Sequence, residues 1–222
     1  SPELQYGGMI TDAIWTDFDN DNWTDLVVVG EWMPVRFFKN NNGKFVDITP
    51  SSGIQDKKGW WGSIGSGDFD NDGDMDFIAG NTGLNSFFKA SAKEPVSIYA
   101  SDFNKDNFYD AVPSIYLPDE KGVRKEFPVH VRDEMVQQIV GIRKRFNKYT
   151  AYATATIHDI LPDTTNVLKL QVNYLANSFI ENKGNGKFEI KPLPPAAQLA
   201  PLYGMVAQDI NEDGNLHLMV SG

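Results

Sequence analysis

A ten-residue pattern that occurs four times constrains the fold of this 222-residue chain more than any other feature. It reads DFDNDNWTDL from Asp17, DFDNDGDMDF from Asp68, DFNKDNFYDA from Asp102 and DINEDGNLHL from Asp209. The shared form is D-x-[DN]-x-D-[GN]-x-x-D followed by apolar residues, with His217 replacing the last aspartate in the fourth copy. Fourfold recurrence of so specific a pattern marks a repeat architecture. Strand-like runs flank the copies: Met9 to Trp15 and Leu26 to Val29 around the first, Phe77 to Ala79 after the second, Leu218 to Val220 after the fourth. Each repeat therefore opens with a β-hairpin whose turn is acidic.

The next two strands of a unit are read from VRFFKNNNGKFVDI and SFIENKGNGKFEI, where Asn42-Gly43 and Asn185-Gly186 are the dipeptides favoured by tight hairpins. About four strands per unit, in units of roughly 50 residues, is the pattern of a β-propeller, whose blades bury their faces against one another. The expected fold is thus all-β: about three and a half four-stranded antiparallel blades within a single domain over 1–222, part of a larger or open propeller. The copies start 51, 34 and 107 residues apart. Matching Phe87-Phe88-Lys89 to Phe37-Phe38-Lys39 makes the second unit short, and the recurrence of Asn85-Ser86-Phe87 as Asn177-Ser178-Phe179 puts an insertion of roughly 57 residues, between about 118 and 175, in the third. Within it Met135, Ile139, Ile142, Phe146, Tyr149 and Ala153 follow a helical period, so an amphipathic helix is expected at about 130–160.

Alternating oxygen donors on a tight turn suit a hard cation of calcium size, which takes 6 to 8 oxygens. The expected ligands are Asp17, Asp19, Asp21 and Asp25 with the Trp23 carbonyl, and Asp68, Asp70, Asp72 and Asp76 with the Asp74 carbonyl. Asp102, Asn104, Asp106 and Asp110 with the Phe108 carbonyl form the third set, and Asp209, Asn211 and Asp213 the fourth. The sixth position, Asn22, Gly73, Asn107 or Gly214, is a residue type that accepts positive φ. An EF-hand is excluded, because position 12 is Val28, Ala79, Pro113 or Val220 rather than glutamate and the flanks are strands. Charge agrees with occupancy. Thirteen of the 30 acidic residues are aspartates at these positions, leaving 17 acids against 20 bases, so the net charge of −10 resides in the loops. Ligand count ranks the second loop first, then the first, third and fourth.

These motifs, with N-x-G-x-F after the loop, resemble the FG-GAP or VCBS repeats of integrin-alpha-like β-propellers. WTDFDNDNWTDL, GEWMPV and GDFDNDGDMDF look most similar to the bacterial branch related to cartilage acidic protein, whose longer members often end in an ASPIC/UnbV module. The resemblance implies calcium-binding loops, a propeller usually of seven blades, and an extracellular or surface location.

The leading functional expectation is a non-enzymatic, calcium-stabilised binding or adhesion module for a protein or glycan, extracellular, at the cell surface or periplasmic. Loops on a rigid scaffold commonly carry recognition, and Trp32, Trp60 and Trp61 are the candidate contact aromatics. The alternative is a hydrolase-like enzyme using His130, Asp133 and Glu134, with Arg132 beside them. Arg143, Lys144, Arg145 and Lys148 form a basic cluster with no aromatic stacking platform, which argues against nucleic acid. No run approaches the ~20 apolar residues of a transmembrane helix. Open sheet edges invite pairing with a second copy.

Overall fold

The computed structural model describes residues 2–161 and 163–222. Contacts divide the chain into two compact units, Ser1–Phe87 with Tyr174–Gly222, and Phe88–Asn173.

In the first unit, β1 (Met9–Thr16), β2 (Asp25–Met33), β3 (Arg36–Asn41) and β4 (Lys44–Asp47) form an antiparallel meander, and the short β5 (Gly59–Trp60) pairs with the end of β2. The β3–β4 turn is Asn42-Gly43 with φ of 53° and 86°, the primed hairpin geometry expected of that dipeptide. Next come β6 (Ser63–Gly67) and β7 (Asp76–Gly80). The second unit then begins, with β8 (Val96–Ser101), β9 (Asp110–Pro118), β10 (Arg124–Pro128), four short helices α1 (Arg132–Gln138), α2 (Ile142–Arg145), α3 (Tyr149–Ala153) and α4 (Ile157–Ile160), and β11 (Leu168–Val172). The chain returns to the first unit with β12 (Ser178–Asn182) and β13 (Phe188–Pro192), which complete the sheet β13-β12-β7-β6, and ends in the hairpin of β14 (Gly204–Gln208) and β15 (His217–Ser221). Three sheets with four-strand paths and a further hairpin realise the expected all-β blades and helical insertion.

Strand membership differs from the sequence expectation. β12 pairs with β7 in register Ser178↔Ala79, Phe179↔Ile78, Ile180↔Phe77, so it is the third strand of the second sheet. The insertion therefore interrupts the second repeat rather than the third, and it contains the third acidic loop. Phe87-Phe88-Lys89 lies in no strand, and the Phe87 side chain is exposed. The third sheet also leaves the meander order: it runs β10-β9-β8-β11, with its last strand on the far side of β8.

The main core of the first unit lies between its two large sheets. Phe37 stacks on Phe188 at 3.9 Å and 11°, and Phe18 meets both rings edge-on. Val27 and Val29 point into this core while Leu26 and Val28 join Met33 and Phe38 on the opposite face of β2. Strand alternation thus buries both faces of one apolar run. In the second unit Tyr99 and Val112 of the sheet are covered by Met135, Ile142, Tyr152, Ile157 and Ile160. The helical stripe is broken into pieces: the chain leaves helical geometry at Ile139 and Phe146, so Tyr152 is buried and Tyr149 is exposed.

Candidate metal centres

All four acidic loops close hairpins in one register. The residue before the first aspartate pairs with the ninth position: Thr16↔Asp25, Gly67↔Asp76, Ser101↔Asp110 and Gln208↔His217. The backbone between follows one path. Positions 4 and 6 have positive φ throughout, at Asn20 and Asn22, Asn71 and Gly73, Lys105 and Asn107, Glu212 and Gly214. Positive φ at the sixth position follows from its residue type, whereas at the fourth it falls on Lys105 and Glu212, which do not favour it.

The same hydrogen bonds hold each turn. The first aspartate accepts from the amides of positions 5 and 6, as in Asp17 from Asp21 (3.1 Å) and Asn22 (2.7 Å), or Asp209 from Asp213 (3.3 Å) and Gly214 (2.8 Å). Asp68 and Asp102 repeat the arrangement. The fifth-position carboxylate accepts from position 7: Trp23, Asp74, Phe108 and Asn215 donate to Asp21, Asp72, Asp106 and Asp213. The side chains of Trp23 and Phe108 themselves are exposed.

The ninth position has a role the pattern alone did not disclose. Asp25 is fully buried and accepts from Phe18 N at 3.1 Å and from Asn40 N, on β3, at 2.7 Å. Asp76, also fully buried, accepts from Phe69 N at 3.2 Å and from Asn182 N, on β12, at 2.8 Å. These carboxylates tie the loop to the third strand of each sheet, and burial pushes both above the ordinary aspartate value. Asp110 accepts from Phe103 N in the same way. His217 stands at the equivalent place in the last hairpin, with its Nδ1 buried and without a partner among the described residues.

The loops differ in what balances their charge. In the first, Lys39 on β3 reaches Asp19, and its Nζ donates to Asp21 at 2.8 Å, holding the Asp21 carboxyl below its usual range. In the third and fourth, the Asn104 and Asn211 amides donate to Asp106 (2.9 Å) and Asp213 (3.0 Å). The second loop has no such partner among the described residues. Ligand oxygens of Asp68, Asp70 and Asp76 lie within 4.8 Å of one another, as do those of Asp17, Asp19 and Asp21. Asp74, expected to offer only its carbonyl, turns its carboxylate into this group. Burial first, then the charges of Asp72, Asp76 and Asp70, push it up to about 6. One carboxylate oxygen each of Asp74 and Asp19 is buried with no hydrogen bond among the described residues. Buried acceptors without donors are rare, and both sit where a cation would satisfy them. The residues present fit an oxygen-coordinated cation, and the acidic clusters could hold one.

Among the candidate contact aromatics, Trp61 is a core residue: it is wholly buried, its Nε1 donates to Met33 O at 3.0 Å, and it stacks on Tyr174. Its apolar neighbours in sequence gave no sign of which tryptophan faces inward. Trp32 and Trp60 are partly exposed and pack edge to face at 5.1 Å. The members of the expected acid-base set are each engaged with other groups. Asp133 accepts from Arg132 (2.9 Å) and Tyr149 (2.7 Å), Glu134 caps α1 by accepting from Val131 N (3.1 Å), and His130 Nδ1 lies 3.4 Å from the Gln138 amide. In the basic cluster, Arg145 is spent on the carbonyls of Asp159 and Ile160. Among the described residues no helix is long and apolar enough to cross a membrane.

Comparison with curated proteins gives no match. Residues 17–79, spanning the first two acidic loops, match the family model described as FG-GAP-like repeat. The loop geometry recurs in two further hairpins outside that segment. The chain therefore carries an FG-GAP-like repeat, built on β-hairpins closed by aspartate turns.

Proposed function

We propose that the protein is a calcium-stabilised, non-enzymatic binding or adhesion module that works outside the cell or at its surface. The observation that carries this reading is the second loop, where carboxylate oxygens of Asp68, Asp70 and Asp76 lie within 4.8 Å of one another, the charges of Asp70, Asp72 and Asp76 act on Asp74, and no counter-charge is present among the described residues. Calcium, when bound, supplies the positive charge these groups lack. Asp68, Asp70, Asp72 and Asp76 would hold it, with Asp74 as a further donor. Asp76 would transmit the gain to the fold, because the same carboxylate ties β12 to the hairpin. The first loop, with Asp17, Asp19, Asp21 and Asp25, would bind next, in competition with Lys39. Asn104 and Asn211 make the third and fourth weaker, in the order expected from ligand count. Loops that bind at ~10⁻⁴ to 10⁻³ M suit compartments rich in calcium, which supports the extracellular location. The engagement of Asp133 with Arg132 and Tyr149, and of Glu134 with the start of α1, supports a non-enzymatic role.

The test is the melting temperature in calcium and in chelator. A site of ~1 mM Kd in ~10 mM calcium stabilises by about 1.4 kcal/mol, or ~3–6 °C for a chain of this size. The second loop should account for most of the shift, which D70N would remove. An unchanged melting temperature would end the calcium reading.

A further inference from the structure

A second site is built in the first unit from the end of β2. Glu31 pairs with Trp60 and Met33 with Gly59, so Trp32 is an extra residue in a β-bulge. Its φ is +63°, a conformation that bulky side chains rarely adopt. Regular alternation would turn Trp32 away from Glu31. The bulge instead brings both to the side of Trp60, where the two indoles meet at 81°. Tyr203, 68% exposed, forms another wall. It can approach because residue 62 is glycine: a Cβ there would lie 3.1 Å from the tyrosine ring. The cleft so enclosed measures about 560 Å³.

Its polar chemistry is one-sided. Thr11 donates its hydroxyl to Trp61 O at 2.7 Å, and both ends of the Asn81 amide are engaged with backbone groups. The Glu31 carboxylate makes no hydrogen bond or ion pair among the described residues, and no lysine or arginine lines the cleft. A ligand here meets aromatic faces and one carboxylate, with no cationic side chain to compete for that charge. Aromatic faces at right angles beside an anion attract a soft, weakly hydrated cation.

We propose that this cleft binds a quaternary ammonium group, held between Trp32, Trp60 and Tyr203 with Glu31 as counter-charge. The proposal rests on the binding-module reading but not on calcium. It is tested by titrating the full chain, in calcium, with choline and with its neutral isostere 3,3-dimethylbutan-1-ol, following tryptophan fluorescence and heat. Choline should saturate the signal, the isostere should bind about tenfold more weakly, and E31Q should lose several-fold. W32N, whose asparagine tolerates the bulge conformation, should abolish saturation with an unchanged melting temperature. Co-sedimentation with phosphatidylcholine but not phosphatidylglycerol vesicles would place the group on a lipid headgroup; saturation by free choline without sedimentation would place it on a small molecule. Equal binding of the isostere, saturation by glucose or N-acetylglucosamine in place of choline, or no saturation by millimolar choline would overturn the proposal. Choline binding that persists when chelation leaves the melting temperature unchanged would separate this site from the calcium reading.

Discussion

Replacing Asp25 with alanine isolates what the ninth loop position contributes apart from any ion. Asp25 is fully buried, and its two oxygens accept from Phe18 N at 3.1 Å and Asn40 N at 2.7 Å. Hydrogen bonds to a charged acceptor contribute about 1.5–3 kcal/mol each, so the pair is worth ~3–6 kcal/mol before offsets. The offset is desolvation: burial raises the Asp25 carboxyl above its usual range, so the charge itself is held at a cost. A net loss of about 3 kcal/mol follows, or ~6–12 °C for a chain of this size. D25N should lose nearly as much, because its amide retains a single acceptor and turns an N–H₂ toward a backbone donor. Melting is measured in chelator to keep ions out of the comparison, and hydrogen exchange reads the two amides directly. Phe18 and Asn40 should exchange faster than their neighbours. A loss below about 1 kcal/mol with unchanged exchange at both amides would refute the tie between loop and third strand.

Two further outcomes follow from the same geometry. In calcium-free protein Asp74 has its folded value raised from 3.8 to about 6, so the folded state holds this proton more tightly than the unfolded state. Its contribution to stability is fully present below the unfolded value and is lost as pH rises through about 6. The melting temperature of the parent relative to D74N should therefore fall over that interval, and a flat difference would contradict the placement of Asp74. Lys105 occupies left-handed backbone at φ +64°, where the first two loops carry asparagine. K105N should stabilise by roughly 0.5–1 kcal/mol, seen as a higher denaturation midpoint, and destabilisation would count against a shared loop path.

The loops and their flanking strands were legible because both are local. The acidic pattern, the apolar runs beside it and Asn42-Gly43 are each set by neighbours in sequence, and all appear where expected. Pairing partners were not local. Asn85-Ser86-Phe87 and Asn177-Ser178-Phe179 are near-copies, and only the second has a strand to join, through the amide of Asn182 on buried Asp76. Nothing in the spacing says which copy closes the second sheet, so the inserted unit was assigned to the wrong repeat. The helical stripe was read as continuous because a period of 3.6 survives across Ile139 and Phe146 even though the backbone turns there. In the site, ligand types were visible but balance was not. Lys39 lies 18 residues beyond Asp21, and the lone signal for it was a lysine in the second strand after the loop. Tyr203 in the aromatic cleft gave no signal at all.

The measurement that bears most directly on the account is anomalous diffraction from crystals grown with calcium or a lanthanide in its place. The account predicts a peak in the second loop, surrounded by oxygens of Asp68, Asp70, Asp72 and Asp76, and filled at lower ion concentration than any in the first loop. Saturating ion with no peak in the second loop, and its aspartates turned outward to solvent, would contradict it.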